Sequence, residues 1–252
     1  MHRPLILITN DDGDTAKGIQ ELTKIMRKLG DVVVMAPDGP RSGQSNAITV
    51  NTPIRYWKIS EADGFKSFKC NGTPTDCVKL ALHDVLDRKP DLLVSGINHG
   101  SNAAINVIYS GTMGAALEGC ENGIPSIGLS LCDHSPLADF SKMEQHITAL
   151  ATDIIEKGLP YGTCLNVNAP TGKIKGIKIC RQCKGHWTEE YAKRTDPHGR
   201  VYFWLTGFFK NHEPQAVDTD EYALANGYMS IVPTSIDMTN YTYMEHLKQW
   251  EK

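Results

Sequence analysis

The chain has 252 residues, 40% of them hydrophobic and 22% charged, which is ordinary for a soluble globular protein with one large core or a core and an appendage. Its formal net charge of -3 and its scattered Lys and Arg residues exclude the basic surface that long nucleic acids require. No stretch is long and apolar enough for a membrane span, and the first apolar run lacks the features of a signal peptide. Seven cysteines, an odd number, then predict reduced thiols and a cytoplasmic location.

The first apolar run, residues 4–9, has the length of one buried strand and ends at Asn10-Asp11-Asp12-Gly13. Ligands of open parallel sheets bind at the carboxyl ends of the strands. Two adjacent carboxylates there repel each other unless a cation neutralises them, and hard divalent cations take oxygen ligands. The stretch therefore predicts a site for Mg²⁺ or Mn²⁺ beside a phosphate, with a plain turn as the alternative.

An amphipathic helix and a second strand follow the acidic pair. Apolar residues at three- and four-residue spacing predict the helix over residues 18–29, and residues 31–36 are rich in valine, as strands are. The connection through a helix makes the two strands parallel, so their carboxyl ends share one edge of the sheet. Ser42 lies in the polar loop after the second strand and is a candidate cation ligand, with turn capping as the alternative.

A third strand, residues 91–95, ends in a loop that contains Asn98. The Asn98 amide can give its carbonyl oxygen to a cation or its NH₂ group to a phosphate, and a turn residue is the alternative. Three polar loops, after the strands that begin near Leu5, Asp31 and Asp91, therefore converge on one edge of one sheet. This convergence is stronger evidence for a site than any single loop.

Residues 77–85 carry the apolar face of a second helix. Thr75 is its predicted cap, and Asp76 favours the positive end of the helix. Capping alone explains Asp76 equally well, which leaves its role open.

A third helix begins near Ser110, Gly111 and Thr112 and continues to residue 119. The free N–H groups of its first turn, with hydroxyls beside them, form the kind of anion site that helix starts offer to phosphates. The segment is not a P-loop, because no Lys follows a spaced pair of glycines. A capped helix in which Gly and Ala allow close packing is the alternative.

The rest of the first 170 residues continues the alternation, with a strand over 125–131, a helix over 140–154 and a strand over 163–167. Alternating strands and helices predict an α/β fold with a doubly wound, mostly parallel sheet.

The pattern changes after residue 170. Residues 174–181, 201–205 and 228–233 look like strands without helices between them. We therefore divide the chain into an α/β catalytic core, residues 1–170, and a smaller β-rich arm with a short C-terminal helix, residues 171–252.

Cys180 and Cys183 form a lone C-x-x-C pair. Zinc would need two more ligands at metal spacing, and no second pair follows His186. The pair therefore favours a structural or surface role.

The chain resembles the SurE family, the survival-protein nucleotidases, from its N-terminus to about residue 170. The matching motifs are NDDG after the first strand, PDGPRSGQSNAIT at 37–49, NGTPTDCV at 71–78, SGINHGSN at 95–102, YSGTMGAALEG at 109–119 and NVNAP at 166–170. One departure is Asp14, which stands where the family usually has an aliphatic residue.

The resemblance implies a divalent-metal-dependent phosphatase that acts on nucleoside 5′-monophosphates, and sometimes on 3′-nucleotides or short polyphosphate. It implies one Mg²⁺ or Mn²⁺ ion per subunit on the four positions that match the family's ligands, Asp11, Asp12, Ser42 and Asn98. It also implies a Rossmann-like core with a β-rich extension that builds homodimers or homotetramers.

Asp11 and Asp12 are the predicted catalytic residues, because a cation on two carboxylates can neutralise developing charge and activate the attacking water. We expect neutral donors to hold the phosphate. The candidates are Asn10, Asn46, Ser110, Gly111 and Thr112.

Two other classes of protein carry acids after a first strand. A haloacid-dehalogenase-type phosphatase forms an aspartyl phosphate from a D-x-D-x-T arrangement, but here Thr15 comes one residue early. A receiver-like signalling module, which is not an enzyme, needs an acceptor Asp at the end of a central strand, where this chain has Ser95. Both stand as alternatives to a nucleotidase.

Overall fold

The computed structural model describes residues 3–251, in which strands and helices alternate over the first two thirds of the chain. The strands are β1 (Leu5–Thr9), β2 (Asp31–Pro37), β3 (Tyr56–Ala62), β4 (Phe65–Cys70), β5 (Leu92–His99), β6 (Ser126–Leu131), β7 (Thr163–Ala169), β8 (Ile177–Ile179), β9 (Gly185–Thr188), β10 (Tyr191–Thr195), β11 (Val201–Leu205), β12 (Phe208–Asn211) and β13 (Met229–Ser235). The α-helices are α1 (Lys17–Met26), α2 (Pro74–Leu80), α3 (Gly111–Glu121), α4 (Glu144–Lys157), α5 (Asp220–Ala225) and α6 (Tyr241–Leu247).

The central sheet has nine strands in the order β3-β4-β2-β1-β5-β6-β7-β13-β8. Every neighbouring pair from β4 to β7 is parallel, while β3 and β13 run antiparallel to β4 and β7. The prediction of a doubly wound, mostly parallel α/β sheet is confirmed.

Helices cover both faces of the sheet, which explains why its central strands are apolar on both sides. Ile6 and Ile8 of β1 belong to the core under α1 and α4, whereas Leu7 between them faces the core under α2. No helix within residues 3–251 is long and apolar enough to cross a membrane.

The strand order places the three polar loops side by side. β1 lies between β2 and β5, with Leu7 opposite Val33 on one side and Leu93 on the other. Because all three strands run in the same direction, the loops after them leave the sheet at the same edge.

The cap of α2 differs from the prediction. Thr73 is the N-cap residue: it accepts a hydrogen bond from the Asp76 N–H at 3.1 Å, and Asp76 accepts one from the Thr73 N–H at 2.9 Å. The assignment of the cap to Thr75 was wrong, because Pro74 occupies the first helical position and moves the cap to the residue before it. Asp76 also accepts a hydrogen bond from Thr49, so capping and loop anchoring account for its carboxylate.

The C-terminal part combines two kinds of structure. Two antiparallel pairs, β9 with β12 and β10 with β11, lie outside the central sheet and confirm the β-rich extension. The expectation of no helix among these strands was wrong, since α5 precedes β13. β13 and β8 join the central sheet, so the chain after residue 170 returns to the core. The division at that residue stays a prediction.

Gly18, in the first turn of α1, lies against the end of β5. A Cβ atom at this position would be 1.9 Å from the carbonyl oxygen of Ile97, a backbone atom that cannot rotate away. We expect Gly18→Ala to lower the free energy of unfolding by about 1–3 kcal/mol, the usual cost of overpacking. Urea denaturation measures it. Gly172→Ala is the matched control, because its new methyl group would meet nothing within 4 Å. Equal stability of the two variants would contradict this packing.

Candidate active site

A cavity of about 310 Å³ opens at the carboxyl edge of β1 and β5. Three of the four predicted cation ligands, Asp11, Ser42 and Asn98, line it together with Ser110 at the start of α3. Asn98 lies within β5 and not in a loop after residue 95 as predicted, because pairing with β6 resumes after an irregularity, with Asn98 opposite Ser130. The loops after β1 and β2 and the end of β5 therefore meet at one place, as the sheet order requires.

Asp11 is the most deeply placed acid of the site, with 3% of its surface exposed. The hydroxyl of Thr112 donates a hydrogen bond of 2.5 Å to its Oδ1 atom. Gly111 permits this approach, because a Cβ atom there would lie 2.9 Å from the Cβ of Asp11. The first turn of α3 is thus packed directly onto the carboxylate.

Burial and the neighbouring Asp12 make a charge on Asp11 unfavourable unless a cation lies beside it. Burial raises the pKa of its carboxyl from the ordinary 3.8 to about 6; the hydrogen bond from Thr112 opposes this rise, and the charge of Asp12 adds to it. A cation beside the two carboxylates would offset both the burial and the repulsion.

Asp12 is half-buried and faces the end of β5. Its Oδ2 atom accepts a hydrogen bond from the backbone N–H of His99 at 3.2 Å, and Nδ1 of the same residue lies 3.4 Å away. The His99 ring packs edge-on against Phe140, with 4.9 Å between ring centroids. Sequence reasoning missed His99, although its position next to Asn98 was available as an indication.

Asn98 has one polar atom free for a ligand. Its amide nitrogen donates to the carbonyl oxygen of Gly100 at 2.9 Å. No hydrogen bond to its Oδ1 atom occurs within residues 3–251. Of the two roles that the sequence left open, a carbonyl oxygen for a cation fits this geometry better than an NH₂ group for a phosphate.

Two predicted phosphate contacts lie apart from the cavity. The Asn10 amide is buried and bonds twice to Gly13, through Nδ2 to the carbonyl oxygen at 2.9 Å and through Oδ1 from the N–H at 3.2 Å. It closes the acidic loop upon itself. Asn46 lines two other cavities, both of which Leu117 and Met238 also line. Asp11 lines neither of them.

The first turn of α3 holds the other three candidates. Ser110 is the N-cap residue and accepts a hydrogen bond from the Met113 N–H at 3.1 Å, which uses its hydroxyl as an acceptor. The N–H of Thr112 bonds to Asp11 and helps to lower the pKa of that carboxyl. The positive end of the helix therefore faces the buried acid.

Further cavity residues, Asn102, Asn106, Tyr109 and His134, were not predicted. The backbone of Asn102 is held on both sides by buried amides of β7: its N–H donates to Asn168 Oδ1 and its carbonyl accepts from Asn166 Nδ2, both at 2.8 Å. The NVNAP motif contains these two residues and could have indicated them.

The donor set fits a hard cation. Two carboxylates, a hydroxyl and an amide oxygen are the ligands that Mg²⁺, Mn²⁺ and Ca²⁺ prefer. The described part of the chain contains no group of three or more His, Cys, Asp and Glu side chains placed to hold a metal ion, so the softer ligand sets of zinc are not found there.

Cys180 and Cys183 are both buried, and Cys180 packs with Ala223 of α5 and Val232 of β13. Burial raises the pKa of both thiols and disfavours the thiolate form that metals bind. Of the structural and surface roles that the sequence left open, this burial favours the structural one.

The fold and the site together define a class: α/β proteins with a doubly wound sheet that carry an oxygen-rich, cation-binding cavity at the carboxyl ends of the strands. Comparisons with known proteins identify the family within this class. Residues 6–189 match the family model of the survival protein SurE. The chain belongs to the SurE family.

Relatives match over almost the whole chain. It is 56% identical to the 5′-nucleotidase SurE of Bacteroides fragilis over 99% of this chain and 98% of the relative, and 53% identical to that of Phocaeicola vulgatus over 98% and 97%. The crystal structure of the SurE protein from Aquifex aeolicus matches with a TM-score of 0.85 and 37% identity, covering 99% of this chain and 100% of that one. None of these comparisons supports a haloacid dehalogenase or a receiver module.

The raised pKa of Asp11 predicts a pH dependence of stability in EDTA. Because its folded-state pKa is about 6 against an ordinary 3.8, the stabilisation from its bound proton is fully present below about pH 4 and is lost as pH rises through 6. We expect the free energy of unfolding of the wild type to fall by about 3 kcal/mol as pH rises through this range. The Asp11→Asn variant should not show this fall, because it has no carboxyl proton to lose. Thermal unfolding at a series of pH values measures this. The control is Asp63→Asn in the exposed β3–β4 turn. Parallel profiles for wild type and Asp11→Asn would contradict the assignment.

Proposed function

We infer that this protein is a divalent-metal-dependent 5′-nucleotidase, which hydrolyses nucleoside 5′-monophosphates to nucleosides and phosphate. The observation that carries the inference is the buried Asp11 carboxylate beside Asp12, in a cavity that Ser42 and Asn98 also line. Relatives of the chain bear the name 5′-nucleotidase SurE over nearly their full length. 3′-Nucleotides and short polyphosphate are further substrates that we propose, and the cytoplasm is the proposed location.

We propose that Asp11, Asp12, Ser42 and Asn98 hold one Mg²⁺ or Mn²⁺ ion per subunit. When bound, the cation supplies positive charge that neutralises phosphate oxygens and activates water for attack on phosphorus. Asp11 carries a negative charge only after it has lost its proton. A neighbouring cation favours this loss. The hydroxyl of Thr112 holds that carboxylate in place.

The start of α3 is the proposed phosphate contact. Backbone N–H groups in the first turn of a helix, together with its positive end, favour an anion. Ser110 lines the cavity, and Gly111 brings this turn into contact with Asp11, so a phosphate near the acids would lie close to these groups. Asn10 serves this site indirectly by ordering the acidic loop. A phosphate contact by Asn46 stays a prediction.

The β10–β11 hairpin is the proposed contact between subunits. All five residues of β11 are exposed, among them Trp204 at 64% and Leu205 at 70%, and Tyr191 on β10 is exposed at 68%. Exposed apolar side chains gathered in this number on one hairpin usually have a partner. We propose that a second copy of the chain covers it in a homodimer or homotetramer.

The nucleotidase activity should need a divalent cation. We expect phosphate release from a panel of nucleoside 5′-monophosphates to stop in excess EDTA, and Asp12→Asn to lower kcat/KM by about 10²-fold or more, because the site loses a charge that the cation requires. The control is again Asp63→Asn, which makes the same chemical change in an exposed turn. Full turnover in the presence of chelator would refute the proposed mechanism.

The hairpin should set the oligomeric state. We expect multi-angle light scattering at micromolar concentration to give a dimer or a tetramer, and Trp204→Lys to shift the mass to a smaller species, because a buried charge in an apolar contact is costly. Tyr161→Lys is the control, since Tyr161 is also an exposed aromatic residue, at 77%, but lies outside the hairpin. A wild-type monomer would disprove the proposed contact.

A further inference from the structure

His134 lies on the loop after β6 and lines the same cavity as Asp11, Ser42 and Asn98. Its ring packs against Gly100: a Cβ atom there would lie 2.2 Å from the ring's Cε1 atom and 2.9 Å from each ring nitrogen. The carbonyl oxygen of Gly100 in turn accepts the hydrogen bond from Asn98. Only Gly100 therefore links the imidazole of His134 to Asn98, a proposed cation ligand.

The loop that carries His134 is anchored on both sides of it. The N–H of Cys132 donates to Ala169 at 2.9 Å, and the carboxylate of Asp133 accepts a bond of 2.8 Å from the N–H of Ser135. Further along, the carbonyl of Ala138 accepts a bond of 2.6 Å from Lys17. The His134 side chain itself is exposed and makes no hydrogen bond within residues 3–251. A loop bonded to other elements at Cys132 and Ala138 thus presents to the cavity an imidazole that has no hydrogen-bond partner among the described residues.

Hydrolysis of a nucleoside monophosphate requires a proton for its leaving group. The 5′-oxygen of a nucleoside is an alkoxide when the P–O bond breaks, and a positioned acid accelerates such a step. The other titratable groups that line this cavity are Asp11, His99 and Tyr109. Asp11 is bonded to Thr112, and His99 lies against Asp12. His134 is the imidazole of the cavity without such a partner.

We propose that His134 is the general acid of the reaction, an inference that rests on the proposed nucleotidase function. The oxygen of the attacking water forms a bond to phosphorus, the P–O5′ bond breaks, and its electron pair stays on O5′. The imidazolium proton of His134 passes to O5′, so the nucleoside leaves as a neutral alcohol. The proton lost by the water returns to the imidazole through solvent, which restores the starting state.

The test compares two leaving groups with the full-length protein and saturating Mn²⁺. p-Nitrophenyl phosphate releases a weakly basic phenolate that needs no acid, whereas adenosine 5′-monophosphate releases a strongly basic alkoxide. We expect His134→Gln to lower kcat for the nucleotide by about 10²-fold or more, as for the loss of a general acid, and to leave kcat for the aryl ester close to wild type. His83→Gln, an exposed histidine on the segment after α2, is the matched control.

The outcomes separate this inference from the proposed function. If the wild type hydrolyses neither substrate, the nucleotidase proposal fails. If the wild type is active and His134→Gln loses both activities equally, or neither, the general-acid role is overturned. Added imidazole should restore nucleotide hydrolysis to His134→Ala, and the absence of any rescue would also count against the role.

Discussion

The burial of the Asp11 carboxylate under the first turn of α3, next to a second acid, is the constraint on which the rest of the site depends. It needs a helix that comes close, which Gly111 permits, and a donor on that helix, which Thr112 supplies at 2.5 Å. It also needs a tightly closed loop, which Asn10 forms with Gly13. An acid held in this way is poorly solvated and close to a like charge, so a cation is the most effective source of compensation.

The sheet converts this local arrangement into a cavity. Parallel pairing of β1 with β2 and β5 brings the loops of Asp11 and Ser42 and the end of β5, which carries Asn98, to one edge. The loop after β5 is further held from β7, where buried amides bond to the backbone of Asn102 on both sides. A network of hydrogen bonds between buried amides favours a single geometry over neighbouring ones. The backbone of the cavity wall is thus tied to a neighbouring strand of the sheet.

Much of the fold could be predicted from the sequence because strands and helices alternate with distinct apolar periods. The three polar loops could be placed together for the same reason, since parallel strands put their carboxyl ends at one edge. The family motifs added the assignment of the ligands and the activity.

The remaining features depend on contacts between distant residues. Nothing in the local sequence shows that the amide of Asn10 bonds back to Gly13, or that His134, on the loop after β6, packs on Gly100 after β5. The α5 helix was missed because only six residues form it, too few for a clear period. The cap of α2 was misplaced by two residues because Thr73 and Thr75 flank Pro74 and both are good capping residues.

The most direct test of the central claim is an anomalous-scattering experiment on crystals grown with Mn²⁺. The account predicts one strong manganese peak within bonding distance of the Asp11 and Asp12 carboxylates and of the Asn98 amide oxygen, and its loss in crystals of Asp12→Asn. A peak confined to another place, such as the exposed His186–His212 pair with its ring nitrogens 2.6 Å apart, with none at the two carboxylates, would contradict it.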